Sequence, residues 1–116
     1  HHCGDVNIDH RITQEAVVTA CRPQPGHSVR LILAFEIMSS TEWQPPGSNF
    51  VFQPNWFEDV VKTMHLKIEA LDCYKSEMRA WPHPRSVKSI KNLAQYRGSM
   101  TGCEFAEGFM LLRRIQ

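Results

Sequence analysis

The sequence has almost no excess charge of either sign. Thirteen Lys and Arg residues face 12 Asp and Glu residues, which leaves a formal charge of +1 over 116 residues. Nucleic-acid binders concentrate basic residues, and membrane-surface proteins carry polybasic clusters, so neither a nucleic acid nor a membrane is an expected partner. Long apolar runs are also missing. The longest, Leu31 to Phe35, is far short of the roughly 20 residues that a membrane span needs. Cys3, Cys21, Cys73 and Cys103 form no CxxC pair, and their spacing matches neither a zinc finger nor a disulfide framework. They read as reduced thiols, mostly buried. The signatures HExxH, G-x-S-x-G, GxGxxG and the P-loop do not occur. No signal-peptide or lipidation pattern is present, and a cytoplasmic location is the resulting expectation.

Composition places what remains in one globular domain, residues 1–116, with 42% hydrophobic and 22% charged residues. Its order is readable. Ile12, Ala16, Val17, Ala20 and Cys21 recur at helical spacing, so Asp9 to Cys21 is a predicted helix. Asn7 or Asp9 can cap it, and Arg22-Pro23 with Pro25-Gly26 ends it. Val29 to Ile37 is nearly all apolar and rich in branched residues, which fits a strand covered on both faces inside a parallel sheet. Helix, turn and strand together make the second half of a βαβ unit whose first strand ends just before His1. Met38 to Gln53 reads as a long loop carrying Trp43 and Phe50. An amphipathic helix is predicted over Phe57 to Arg79, with Phe57, Val60, Val61, Met64, Ile68, Leu71 and Met78 as its stripe. Pro82 and Pro84 break it. Ser86 can cap a further helix to about Tyr96, buried through Val87, Ile90, Leu93 and Ala94. Gly98 and Gly102 mark the next turn, and Phe105 to Ile115 fits a short helical turn followed by an edge strand, Phe109 to Leu112. One good strand is too little sheet to cover these helices, so the fold reads as incomplete. The absence of an initial methionine points the same way, to the C-terminal part of a longer protein.

Chemistry is concentrated at the start. His1, His2, Asp5, Asp9 and His10 lie within the run HHCGDVNIDHR. Open α/β sheets bind ligands outside the carboxyl ends of their strands. A strand ending at His1 puts this segment at such a crevice, and Glu36 at the end of the next strand reaches the same place. A neutral imidazole such as His10 suits zinc, with Asp9 beside it to orient the ring. Two plainer readings stand beside this one. Asp5, Asn7 and Asp9 are also common turn and cap residues, and His1 and His2 also fit the residue of an expression tag.

The run HHCGDVNIDHR, a helix ending in ACRP, and then FEIMSSTEW, FQPNWFEDV, KIEALDCYKSEMR, PHPRS, LAQYRGSMTGCEFAEGF and LLRRI resemble the PIG-L/LmbE family of zinc-dependent N-acetylglucosamine deacetylases. The likeness runs along essentially the whole chain. It implies a Rossmann-like α/β fold, a parallel sheet with flanking helices, of which this chain is an incomplete C-terminal part. It also implies a catalytic Zn2+ or other divalent metal, and a substrate that is an N-acetylated sugar or glycoconjugate. The family's AHPDDE segment, which supplies a histidine ligand, an aspartate ligand and the general base, is absent. By resemblance His10 is the remaining metal ligand and Asp9 the carboxylate beside it. Where many relatives carry a histidine that stabilises the tetrahedral intermediate, this chain has Asn7. An amide can donate to an oxyanion but cannot be a general acid, and His1 or His2 stand as substitutes. The implied reaction is metal-assisted hydrolysis of an acetamide, with this chain inactive alone.

Four further residues are candidate substrate contacts: Glu36, Trp43, His83 and Arg85. Each also has a structural reading: a paired acid at a strand end, a loop anchor, and a helix-start turn for the last two. Arg11 fits either a partner of a carboxylate behind the site or a solvated helix residue. Met64, Met78, Met100 and Met110 read as core filling. Outside the enzyme class, the alternative is a non-catalytic remnant or an interaction module. A two-metal phosphodiesterase lacks the acidic cluster it would need.

Overall fold

The computed structural model describes residues 1–45, 47 and 49–116. The described residues form a small mixed α/β arrangement with three helices, α1 (Ile8–Ala20), α2 (Met64–Asp72) and α3 (Val87–Ser99), and three strands, β1 (Leu31–Phe35), β2 (Trp56–Asp59) and β3 (Ala106–Arg114). A 3-10 turn covers Thr41–Trp43. The strand order is β1-β3-β2. β1 runs antiparallel to β3, with Leu31 opposite Arg114 and Phe35 opposite Phe109. The amide of Asn55 donates to the Phe109 carbonyl and that of Val60 to the Phe105 carbonyl, an antiparallel progression for β2 as well.

The expected parallel sheet is therefore not what these residues form: the described sheet is antiparallel. β1 is not buried on both faces either. Only Ile32 and Ala34 are buried, while Leu31 and Phe35 on the alternate face are exposed. The apolar run fits the strand, but β1 lies at the sheet edge with β3 as its one neighbour in the strand order. β3, expected as a short edge strand after a helical turn, is instead the nine-residue central strand.

The chain divides into two compact units, His1–Trp56 with Phe109–Gln116, and Phe57–Gly108. In the first, α1 starts where the Asn7 side chain accepts from the Asp9 amide at 2.9 Å. At its other end the Arg113 guanidinium donates to the Cys21 carbonyl, and the Cys21 amide closes the last turn on Val17 at 2.9 Å. No residue of α1 is buried, and its apolar Ile12, Val17 and Val18 face solvent. The loop after β1 carries the 3-10 turn. Positions 46 and 48 of the expected 38–53 loop lie outside the described residues.

In the second unit the long helix predicted over 57–79 is a strand followed by a nine-residue helix. The Asp59 carboxylate accepts from the Val61 amide at 2.9 Å, forming a side-chain turn that ends β2. The Val60 carbonyl then accepts from Met64 at 2.8 Å to start α2. An aromatic-led segment with a ladder partner became strand, although its apolar spacing also fits a helix. Met64 is the one buried member of the predicted stripe among the described residues. α3 matches its expectation at the start: Ser86 Oγ accepts from the Ser89 amide at 3.1 Å. It runs past Tyr96 through Gly98, where a Cβ would lie 2.5 Å from the Cys103 carbonyl oxygen. Ala94 and Ala106 complete the buried apolar set of this unit, and Met100 is exposed rather than core.

The cysteines are free, as expected, but not mostly buried: Cys3 and Cys73 are exposed, Cys21 and Cys103 half-buried. No helix among the described residues is long and apolar enough to cross a membrane.

A buried acid and two stacked imidazoles as the candidate functional site

In the first unit the buried residues are more polar than apolar: His2, Asp5, Ser39, Ser40 and Thr41 are buried, against Ile32 and Ala34. Buried polar groups are costly unless hydrogen-bonded, so the partners of this group define the site. At its centre is Asp5, with no solvent exposure. One carboxylate oxygen accepts from the Asn7 amide at 2.8 Å and from the Ser40 hydroxyl. The other accepts from the Thr41 hydroxyl at 2.9 Å and lies 3.2 Å from His10 Nδ1. That last contact is close enough for an ion pair but is not aligned as a hydrogen bond, and Nδ1 of both His10 and His1 is buried without a hydrogen-bond partner.

Burial alone pushes the Asp5 carboxyl up. The hydrogen bonds from Ser40, the Asn7 amide and Thr41, with the His10 imidazole beside them, outweigh it, and the carboxyl is held below its ordinary range. Asp5 is therefore a carboxylate wherever the chain is folded near neutral pH.

The imidazoles are placed by packing. His1 stacks on His10 with ring centroids 3.9 Å apart and planes 8° from parallel, and His1 also meets Phe35 at 4.9 Å. Phe35 ends β1, so the first residues of the chain do gather at the carboxyl end of that strand. His2 is buried, with Nε2 2.8 Å from the Phe50 carbonyl oxygen and its ring edge-on to Phe52 at 5.4 Å. Gly4 admits this approach: a Cβ there would lie 2.3 Å from the Phe50 oxygen.

Several expected positions fall elsewhere. Asp9 is exposed at the start of α1, and the carboxylate against His10 is Asp5. Asn7 is a cap, its side chain accepting from the Asp9 amide. Among the described residues Arg11 pairs with no carboxylate; its guanidinium donates to the carbonyls of Asp5 at 2.8 Å and Val6 at 3.0 Å. Glu36 is half-buried directly after β1, and Trp43 is exposed on the 3-10 turn. His83 and Arg85 belong to the other unit, where His83 Nδ1 accepts from the Arg85 amide at 3.0 Å and the Arg85 guanidinium pairs with Glu77 at 2.5 Å.

Ser40 and Thr41 hold Asp5 without having been singled out from sequence. The available signal was the hydroxyl run Ser39-Ser40-Thr41 at a strand end. The Glu42 carboxylate accepts from the amides of Ser39 at 2.5 Å and Ser40 at 3.0 Å, and the Thr41 hydroxyl accepts from the Ile37 amide at 2.8 Å, so the run forms a rigid shelf.

Among the described residues no three His, Cys, Asp or Glu side chains are grouped to hold a metal ion. The donor chemistry agrees: Asp5 is consumed by its own donors, and the parallel stacking of His1 on His10 keeps their lone pairs in separate planes. No family model, curated protein or solved structure matches the chain.

Proposed function

We propose that the chain contributes His10, backed by Asp5, to the hydrolytic centre of a metal-dependent N-acetyl-sugar deacetylase of the PIG-L/LmbE type, and that it is inactive alone. One observation carries the reading. A buried carboxylate, His10 and the end of β1 are brought together by the segment HHCGDVNIDHR that resembles the family. A carboxylate behind an imidazole is the usual support of a metal-binding histidine. The Rossmann-like parallel sheet, the Zn2+ and the N-acetylated sugar belong to this proposal through the resemblance. They require groups beyond those of this chain, since its residues supply one ligand position. The chain's own part is to hold His10 in place between the stacked His1 ring and the buried Asp5 carboxylate.

The test is acetate release from N-acetylglucosamine derivatives. The 116-residue chain is expected to give none. The longer reading frame expected to contain it, supplied with zinc, is expected to turn over, with kcat/KM at least about 100-fold lower in His10→Ala. Robust turnover by the chain alone, or an unaffected His10→Ala enzyme, overturns the proposal.

A second reading, an interaction module, is favoured by α1, which buries no residue and leaves Ile12, Val17 and Val18 exposed. Its mark is a stable complex formed through α1 by a protein in which His10→Ala changes no activity.

A further inference from the structure

We propose that Asp5 is the positioning residue of His10, fixing the neutral imidazole with its proton on Nδ1 and its lone pair on Nε2. The inference rests on the reading above for its purpose, but its geometry stands apart from it. The hydrogen bonds around Asp5 favour one arrangement. The Asn7 amide can only donate, so the oxygen it meets at 2.8 Å is an acceptor. The Thr41 hydroxyl accepts from the Ile37 amide at 2.8 Å and donates to the other Asp5 oxygen at 2.9 Å. Both oxygens thus accept from fixed donors, which favour the ionised, acceptor-only carboxylate.

His10 Nδ1 lies 3.2 Å from the second oxygen and is buried, with no other hydrogen-bond partner. An acceptor-only neighbour favours N–H on the facing ring nitrogen and leaves the lone pair on the other. In this tautomer the ring can ligate a metal or accept a proton through Nε2. The stacked His1 ring, 8° from parallel, and the Arg11 guanidinium on the Asp5 carbonyl keep the ring and the carboxylate from turning away from each other. Sequence proximity assigned this task to Asp9; the fold gives it to a residue five positions before His10, through a shelf some 35 residues further along.

The 15N-labelled chain, observed by long-range 1H–15N correlation at about pH 8, where an ordinary imidazole is neutral, reports the tautomer directly. Wild type is expected to show a protonated Nδ1 and an unprotonated Nε2 on His10. Asp5→Asn, whose amide can present N–H to the ring, is expected to move the population toward the Nε2–H form. Where Asp5→Asn fails to fold, Thr41→Val serves: it removes one of the carboxylate's donors and is expected to move the His10 15N shifts toward those of a free imidazole. An Nε2–H tautomer in wild type, or His10 shifts unmoved in a folded variant, overturns the proposal. The expected tautomer together with an unaffected His10→Ala enzyme leaves the positioning intact and removes the deacetylase reading instead.

Discussion

Asp5 shows how a residue with an ordinary sequence role acquires a special one. By sequence it is one of three short polar residues before a helix, each as suited to a turn as to chemistry. Its partners Ser40 and Thr41 lie 35 and 36 positions away, a separation no local pattern reveals. Its titration yields a prediction. A carboxyl held below its ordinary value contributes stability that is fully present above that value and is lost as pH falls through the lower, folded-state value. The unfolding free-energy difference between wild type and Asp5→Asn is therefore expected to be constant from about pH 7 to pH 5 and to shrink toward pH 3. Urea titrations across that range check it, and a difference that grows on acidification contradicts it. Gly4 gives the steric counterpart. An added methyl would sit 2.3 Å from the Phe50 oxygen and 2.9 Å from His2 Nε2, so backbone must move. Gly4→Ala is expected to cost about 1–3 kcal/mol in urea denaturation and to shift the His2 ring resonances. An unchanged midpoint would show that the loop yields freely.

At the level of elements, legibility followed the locality of the deciding force. The caps of α1 and α3 were readable because they depend on neighbours: Asn7 on Asp9, and Ser86 on Ser89. Ser86→Ala is accordingly expected to destabilise the chain by about 1 kcal/mol, measured by urea midpoint. Ser86 also donates to the Ser89 hydroxyl at 2.9 Å, so Ser89→Ala is expected to weaken the same start. The strand at 31–35 was readable from its branched apolar run. Its partner was not, since pairing and direction depend on β3, 74 to 83 residues away in the sequence. The helix expected over 57–79 failed for the same reason. Its apolar spacing fits a helix, but Trp56–Asp59 gains a ladder with β3, and the Asp59 side-chain turn stops that strand before α2 begins. Tertiary pairing overrode local periodicity.

On the scale of the whole molecule, many large apolar side chains among the described residues are exposed. α1 buries none of its residues, β1 has one neighbour in the strand order, and the buried group of the first unit is mostly polar. The strand expected in a parallel arrangement pairs antiparallel instead. The site is half legible in the same sense. The gathering of His1, His10 and the end of β1 followed from placing HHCGDVNIDHR at a strand terminus, whereas the choice of Asp5 over Asp9 followed from packing alone. The proposed centre takes His10 from this chain, and the resemblance implies further ligands before His1. Sequencing the coding DNA immediately upstream of His1 tests that claim most directly. The account expects an open frame continuing into a strand and a His-Asp-Asp segment of the AHPDDE kind; a start codon directly before His1 would contradict it.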